Sequence, residues 1–482
     1  MPEPDLTILQ VSMFDRYGGA ERVAWDLFTA LRAMGHESFF AVGRKRSDDR
    51  GVLTLPHHET PRPWSRFWWR VHRGLQPVYG RFPGSRLACR AAHRLAEPRG
   101  WLDALRGLED FHYPGTYRLL DMTPRRPDVV HCHNLHQKYF DLRALPWLSR
   151  QVPVVLTLHD AWLLAGHCAH SLDCERWKTG CGQCPSLSLY PAIRRDNSAE
   201  NWRRKRDLYR ASRLFVATPC RWLMNKVEQS ILAEGIAEAR VIPYGVDLSV
   251  FHPADRAAAR TQAGLPIEPR ILLFAASGIR DNPWKDFATL RGAIERLAER
   301  RRDRDVLFIA LGEDCPPQRL GPAEIRFVPF QNDPPVVARY YQSADVYVHA
   351  ARADTFPNAV LEALCTGLPV VATAVGGIPE QVRPLTHQPS SAARATGILT
   401  PAGDAEALAA GIERLLKNDP LRQCLADNAA RDARERFDLH RQVNDYLAWY
   451  RELVSGRSAT SGRAPQAPAS TQPAPALVYS ST

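Results

Sequence analysis

No apolar run in this 482-residue chain approaches the ~18 residues needed to cross a bilayer, so a membrane-spanning protein is not expected. The opening Met1-Pro-Glu-Pro-Asp5 lacks a basic n-region, so no signal peptide is expected either. Ten cysteines over such a length make no disulfide scaffold, and a reducing cytoplasm is the default. Gly-x-Gly-x-x-Gly is missing, which removes the dinucleotide fingerprint. The single Asp-x-Asp, Asp303-Arg-Asp305, sits in an arginine-rich run. There is no internal repeat beyond two α/β halves. Acid is scarce between residues 62 and 99, where nine arginines face only Glu97 and supply eight of the formal +11 charges.

What is present fits two or three domains with sizeable cores, since 45% of the residues are hydrophobic. The arginines from Arg62 to Arg99 are interleaved with Trp64, Phe67, Trp68, Trp69, Tyr79 and Phe82. Such a mixture suits an anionic membrane interface. A solvated helical excursion with its aromatics in the core is the plain alternative, and nucleic acid is the weakest one.

Ala353–Glu380 organises the chain. Pro357 stands where a first helical residue would, after the polar Asp354 and Thr355. A helix is expected over Asn358–Cys365, stopping at Gly367. Leu368–Thr373 reads as a buried parallel strand, and Gly376-Gly377 as a loop permitting close backbone approach. A helix start after such a loop offers amides and a positive dipole end to phosphate. Asp354 and Glu362, eight positions apart, can accept hydrogen bonds from sugar hydroxyls. Farther upstream, Arg280 and Lys285 flank a loop entering a helix and can neutralise a diphosphate. Together these residues read as a nucleotide-sugar pocket.

The stretch resembles the signature of the retaining glycosyltransferases of family 4 (group 1, GT-B fold), with wording similar to bacterial polysaccharide-assembly members. Asp354 stands where Glu is usual, and Ile279 where Gly usually precedes the arginine. Gly18-Gly19-Ala20-Glu21-Arg22, followed by Gly35-His36-Glu37, resembles the family's N-terminus. The resemblance implies an α/β fold of two Rossmann-like domains facing a cleft. It implies retaining transfer of a hexose from a nucleotide-diphosphate sugar. The cysteine usage and the basic–aromatic stretch add the expectation of a cytoplasmic place at the inner face of a membrane. No metal cofactor is needed where Arg280 and Lys285 supply the charge, and a lone Asp-x-Asp argues against the other, metal-bridged glycosyltransferase fold. The implied catalytic residues are His159, Arg280, Lys285, Asp354 and Glu362. The implied donor contacts are Gly18, Gly19, Arg280, Lys285, Phe356, Pro357, Asn358, Ala359, Val360 and Glu362. A glycan or lipid-linked saccharide is the expected acceptor, an anionic membrane surface the expected partner, and nucleic acid is not expected. A nucleotide-sugar epimerase of the same fold, or a non-catalytic sugar or lipid binder, are the alternatives.

The expected division is an acceptor-side domain over 1–250, with an insert at 62–125 and a cysteine loop at 166–185. A donor-side domain over 251–436, a helix crossing back over 437–454 and a disordered Ser/Ala/Pro-rich tail over 455–482 follow. Two strands, near Pro127 and Pro153, end in histidine-rich turns at sheet ends where ligands bind. His131, His133, His136, His159 and Asp160 there could instead hold a metal, although their spacing fits no standard site. Cys168, Cys174, Cys181 and Cys184 end in C-x-x-C and could staple the loop with a structural Zn²⁺; a redox pair or buried thiols is the alternative.

Overall fold

The computed structural model describes residues 5–56, 63–300 and 306–456. Arg62, the Asp303-Arg-Asp305 run and the expected tail beyond residue 456 lie outside the described residues.

Two seven-stranded sheets carry the chain. The first contains β1 (Thr7–Phe14), β2 (Glu37–Arg44), β3 (Val52–Thr54), β4 (Val129–His133), β5 (Val154–Thr157), β6 (Leu214–Thr218) and β7 (Ile236–Val241). Its order is β3-β2-β1-β4-β5-β6-β7, and every pair is parallel. The second contains β8 (Arg270–Ala275), β9 (Val306–Leu311), β10 (Gln318–Leu320), β11 (Ala323–Val328), β12 (Val346–His349), β13 (Val370–Thr373) and β14 (Gly397–Thr400). Its order is β10-β11-β9-β8-β12-β13-β14, parallel except for β10 with β11.

Helices on both faces force the inner strands to be buried throughout. All eight residues of β1 are buried, including Thr7, Gln10 and Ser12. Strand order reverses beside β1 in the first sheet and beside β8 in the second. The crevices beyond those carboxyl ends are where α/β sheets bind ligands. Gly18-Gly19 follows β1, and the Arg280–Lys285 loop follows β8. The two-sheet α/β architecture thus matches the sequence expectation.

The last helix, Leu439–Val454, returns to the first sheet. Val443, Tyr446, Trp449 and Tyr450 are buried against Ile8, Val129, Val155 and Phe215. Main-chain hydrogen bonds tie Val246 N–H to Phe437 O (2.8 Å) and Leu439 N–H to Val246 O (3.1 Å). Tyr450 Oη lies 2.6 Å from His131 Nδ1, and Tyr446 Oη 2.7 Å from Thr157 Oγ1.

Three strands escaped the sequence reading. β3 and β10 have three residues each, and β7 alternates exposed Ala237 and Ala239 with half-buried residues at the sheet edge. The helix Ser198–Arg210, basic in sequence, buries Lys205 completely against Glu109 (2.9 Å) and the carbonyls of Trp162 and Ala165. The 62–125 region folds as helices Pro63–Leu75, Ser85–Ala96 and Pro98–Arg106, followed by short turns over Pro114–Asp121.

Candidate active site

The helix Asn358–Cys365 forms as expected, but Pro357 caps it from outside with ψ 124° rather than opening it. The first intrahelical bonds run from Val360 and Leu361 N–H to Pro357 O (3.1 and 3.5 Å), so the Asn358 and Ala359 amides stand ahead of the ladder. Gly367 turns the chain at φ +70°. Gly376 is required for a different reason than expected. At φ +57° its Cβ would lie 1.7 Å from Asp354 O, so the close approach is to the Asp354 loop itself.

Lys285 reaches this loop through an antiparallel bridge to Ala351, with Arg352 N–H donating to Trp284 O at 2.9 Å. Its ammonium pairs with Asp354 Oδ2 and lies 3.4 Å from His349 Nε2. His349 Nε2 is 3.2 Å from the same carboxylate oxygen, and Nδ1 is 3.1 Å from Tyr347 Oη. Burial acts to raise the Asp354 carboxyl, yet the Lys285 charge and the hydrogen bonds from His349 and Lys285 together outweigh it and hold the group well below the usual carboxylate range. Burial, reinforced by Lys285, pushes His349 down to about 4, so it is neutral at pH 7.

Glu362 meets the opposite fate. Burial raises it to about 7, against the pull of Arg22 on the first helix, Gly19–Ala33. Arg22 is itself bonded to Asp26 at 2.8 Å. The buried Tyr347 interacts with both acids and so links them.

Arg280 is not drawn into the Lys285–Asp354 cluster. Its side chain is exposed and pairs with Glu313, which also accepts the main-chain N–H of Ile279 (2.7 Å) and Arg280 (2.9 Å). Ile279 is fully buried, which anchors that loop. Of the remaining expected donor contacts, Phe356 and Val360 turn their side chains into the core and leave only main chain to the cleft. Gly18 N–H donates to Glu21 Oε2 (3.1 Å), and Gly19 O accepts from Asn358 Nδ2 (3.1 Å), which brings the two helix starts together.

His159 has both ring nitrogens engaged. Nε2 is 3.0 Å from His133 Nδ1, and Nδ1 is 2.6 Å from Tyr244 Oη. His133 continues to Gln10 Oε1 at 2.8 Å. Burial pushes His159 down to about 4, so the ring is neutral at pH 7. The Tyr244 ring packs 5.6 Å from Phe356, which brings His159 to the edge of the Asp354 loop. His136 bonds Asp160 at 2.8 Å, and His131 bonds Tyr450 and Thr157. The histidine-rich turns are therefore a hydrogen-bonded network, and no group of three or more potential ligands that could hold a metal occurs among the described residues.

The four cysteines expected to staple their loop lie together around one small space. Cys168, Cys174, Cys181 and Cys184 border one cavity of about 20 Å³ with His167, without forming a metal-holding group among the described residues. Burial pushes the Cys168 thiol up to about 12 and Cys181 to about 11, so both are protonated at pH 7. Hydrogen bonds hold them: Gly166 N–H to Cys181 Sγ (3.3 Å), and His167 Nε2 beside Cys184 Sγ (3.3 Å). From this loop His170 packs on Trp284 at 4.9 Å, across the cleft.

The cleft holds a cavity of about 620 Å³, within the usual range for small-molecule sites. Ala161, His170, Trp222 and Lys226 line it from one side, Asp354 and Gly376 from the other. Glu380 accepts N–H bonds from Arg221 (2.8 Å) and Trp222 (2.7 Å) at the start of the helix Arg221–Glu228, tying the segment after β13 to this helix of the first sheet. His349, Tyr244, Glu313 and Glu380 went unseen in the sequence. Only the place of His349 at a strand's carboxyl end could have marked it.

Residues 17–250 match the model of Glycosyltransferase Family 4, and residues 269–418 that of Glycosyl transferases group 1. D-inositol 3-phosphate glycosyltransferase 1 of Catenulispora acidiphila is 31% identical over 348 residues, covering 68% of this chain and 73% of that protein. The putative colanic acid biosynthesis glycosyl transferase WcaC of Escherichia coli K12 is 27% identical over 278 residues. That match covers 53% of this chain and only 62% of that relative's length. Among solved structures, the sucrose-phosphate synthase of Thermosynechococcus elongatus superposes with a TM-score of 0.60 at 20% identity, over 94% of this chain and 100% of that one. Anabaena HepE, solved with UDP and glucose, gives 0.57 at 17% identity, over 92% and 98%. At such identities these two structures show the fold alone.

Proposed function

The chain belongs to the group 1, family 4 glycosyltransferases, and from that premise we propose that it moves a hexose from a nucleotide-diphosphate sugar, with retention, to a glycan or lipid-linked saccharide in polysaccharide assembly. The observation that carries the reading is the Lys285–Asp354 pair beside the free Asn358 and Ala359 amides, beyond the carboxyl ends of the neighbouring strands β8 and β12. Lys285 and the helix start take the diphosphate, and their fixed charge stabilises the leaving group without a divalent ion. Arg280 supplies a second cation from the rim, its loop braced by Glu313. Asp354, held ionised, accepts from a hydroxyl of the transferred sugar. Glu362 accepts from a hydroxyl on the nucleoside side. His159, fixed by His133 and Tyr244, borders the sugar from the opposite wall.

UDP and glucose in the HepE structure and colanic acid in the relative's name support a nucleotide-sugar donor and a glycan acceptor. In this reading residues 1–250 take the acceptor, residues 251–436 the donor, and 437–454 cross back. The enzyme works in the cytoplasm at an anionic membrane surface.

A thermal-shift panel of sugar nucleotides tests the proposal. The correct donor at a hundred times its Kd should stabilise the protein by about 2.7 kcal/mol. Lys285→Ala should stay folded and lose both that shift and transfer. Normal turnover by a folded Lys285→Ala protein would overturn the phosphate assignment.

A further inference from the structure

The helices Pro63–Leu75 and Ser85–Ala96 pack against each other as a hairpin whose tip is residues 76–84. Small residues and one indole fill the seam: Ser65, Trp69, Cys89, Ala92 and Ala96 are buried. The remaining large apolar side chains do not join them. Trp64 and Phe67, near the open end of the hairpin, are each 57% exposed, and Phe82 (64%), Leu87 (68%) and Tyr79 are exposed at or next to the tip. Four exposed rings and a leucine on one small hairpin are far from the scattered singles of an ordinary surface.

The arginines of the hairpin are equally unusual. Arg70, Arg73, Arg81, Arg86, Arg90 and Arg94 are all exposed. None of them makes an ion pair with an acid among the described residues, although arginines elsewhere in the chain pair widely, as Arg260 and Arg270 do on Asp345. The nearby acid Glu97 accepts from Trp69 Nε1 at 3.0 Å. Three of these arginines, Arg81, Arg86 and Arg90, line an open cavity of about 460 Å³ together with Phe82 and Leu87. A second cavity of about 410 Å³, with Arg90 and Arg94 on its wall, lies on the hairpin's flank beside Tyr79.

We propose that this hairpin is a membrane-docking element, with Phe82 and Leu87 entering the interface of an anionic phospholipid surface and Arg81, Arg86 and Arg90 holding lipid phosphates in the tip cavity. Clustered unpaired cations need an anionic surface, and a bilayer supplies phosphates and an apolar layer at the matching depth. Indole and phenol rings favour that boundary. Single-stranded nucleic acid would use a groove with rings on its floor, whereas Phe82 and Leu87 stand exposed at or next to the hairpin's tip. The inference deepens the membrane partner proposed above, and it is tested without donor or acceptor, so its outcome is independent of the transfer reading.

The full-length protein is sedimented with phosphatidylcholine vesicles, with and without phosphatidylglycerol. Binding should be at least about tenfold stronger with the anionic lipid. R81E/R86E/R90E should lose about tenfold or more of that binding, and F82S/L87S should make what remains fully removable by high salt. Both variants should keep the wild-type Tm. Equal partition to neutral and anionic vesicles, or undiminished partition of the charge-reversed variant, would overturn the proposal. So would salt-sensitive retention on a single-stranded oligonucleotide without vesicle binding, which would move the surface to nucleic acid.

Discussion

Replacing Glu362 by Gln should stabilise the protein and impair it at once. The unfolded chain holds this carboxyl at its ordinary value of 4.5, and the folded protein raises it to about 7. Between those values the native state keeps a proton that the unfolded state has released, so ionisation opposes folding. The penalty is absent below pH 4.5, grows as pH rises, and is complete above pH 7. The full shift corresponds to about 3 kcal/mol. Glu362 retains partial exposure, and solvent screening brings the usable figure to roughly 1.5 kcal/mol. Glutamine keeps the shape and removes the charge. For a unit of ~200 residues this is about 3–6 °C in Tm.

The functional cost follows from the same charge. A hydroxyl donating to a carboxylate gains about 1.5–3 kcal/mol, which an amide largely forfeits. The donor KM should therefore rise about tenfold or more in E362Q, with little change in its pH dependence. In the wild type the donor KM should fall as pH rises through 7, because only the ionised acid serves as the acceptor. Thermal unfolding at pH 5 and pH 8, paired with initial rates over that range, separates the two effects. A Gln variant less stable than wild type at pH 8, or one that retains the wild-type pH profile, would refute the reasoning.

Other perturbations have equally definite outcomes. Trp449 is fully buried between the last helix and the first sheet, so Trp449→Ala should cost about 3–5 kcal/mol, read by denaturant unfolding. Glu380→Gln weakens the charged acceptor that joins the helix at Arg221 across the cleft; small-angle scattering should show a larger mean radius, and an unchanged radius would count against a latch. Cys168 and Cys181, protonated at pH 7 by their raised thiol values, should resist iodoacetamide in the native protein, with mass spectrometry locating any adduct.

How much of this was legible in the sequence depends on what each signal encodes. The helix Asn358–Cys365, its stop at Gly367 and the parallel strands are local matters, and composition and turn chemistry specified them. The edge strand β7 was not, because a strand half open to solvent shows no apolar run. The hairpin's helices were also hard to read: exposed Trp64 and Phe67 blur the division between an inner and an outer face. Pairings across long separations left no trace at all. Nothing in the local sequence around Glu313 announces that it will take the Arg280 guanidinium, and Lys205 looked like one more cation of a basic helix until Glu109 was found beside it.

The two site acids show where that limit matters for function. Sequence spacing treats Asp354 and Glu362 alike, as hydroxyl acceptors on one loop and helix. The fold gives them different neighbours and therefore different chemistry. Asp354 sits against a lysine and is fixed as an anion at any pH where the protein works. Glu362 has the Tyr341 hydroxyl beside it and the more distant charge of Arg22, shared with Asp26, and its proton is finely balanced near neutrality. Pairs of acids driven apart in this way commonly divide labour in an active site. Here the permanent anion also neutralises Lys285 before the donor arrives. Under the proposed function, a diphosphate competes with Asp354 for that ammonium, and the carboxylate it displaces is left facing the sugar whose hydroxyl can satisfy it. Donor binding and sugar recognition are on this account one exchange of partners. It follows that Asp354→Asn should tighten binding of the bare nucleoside diphosphate while slowing transfer, and titration calorimetry beside a rate assay would show a loss of both if the exchange does not occur.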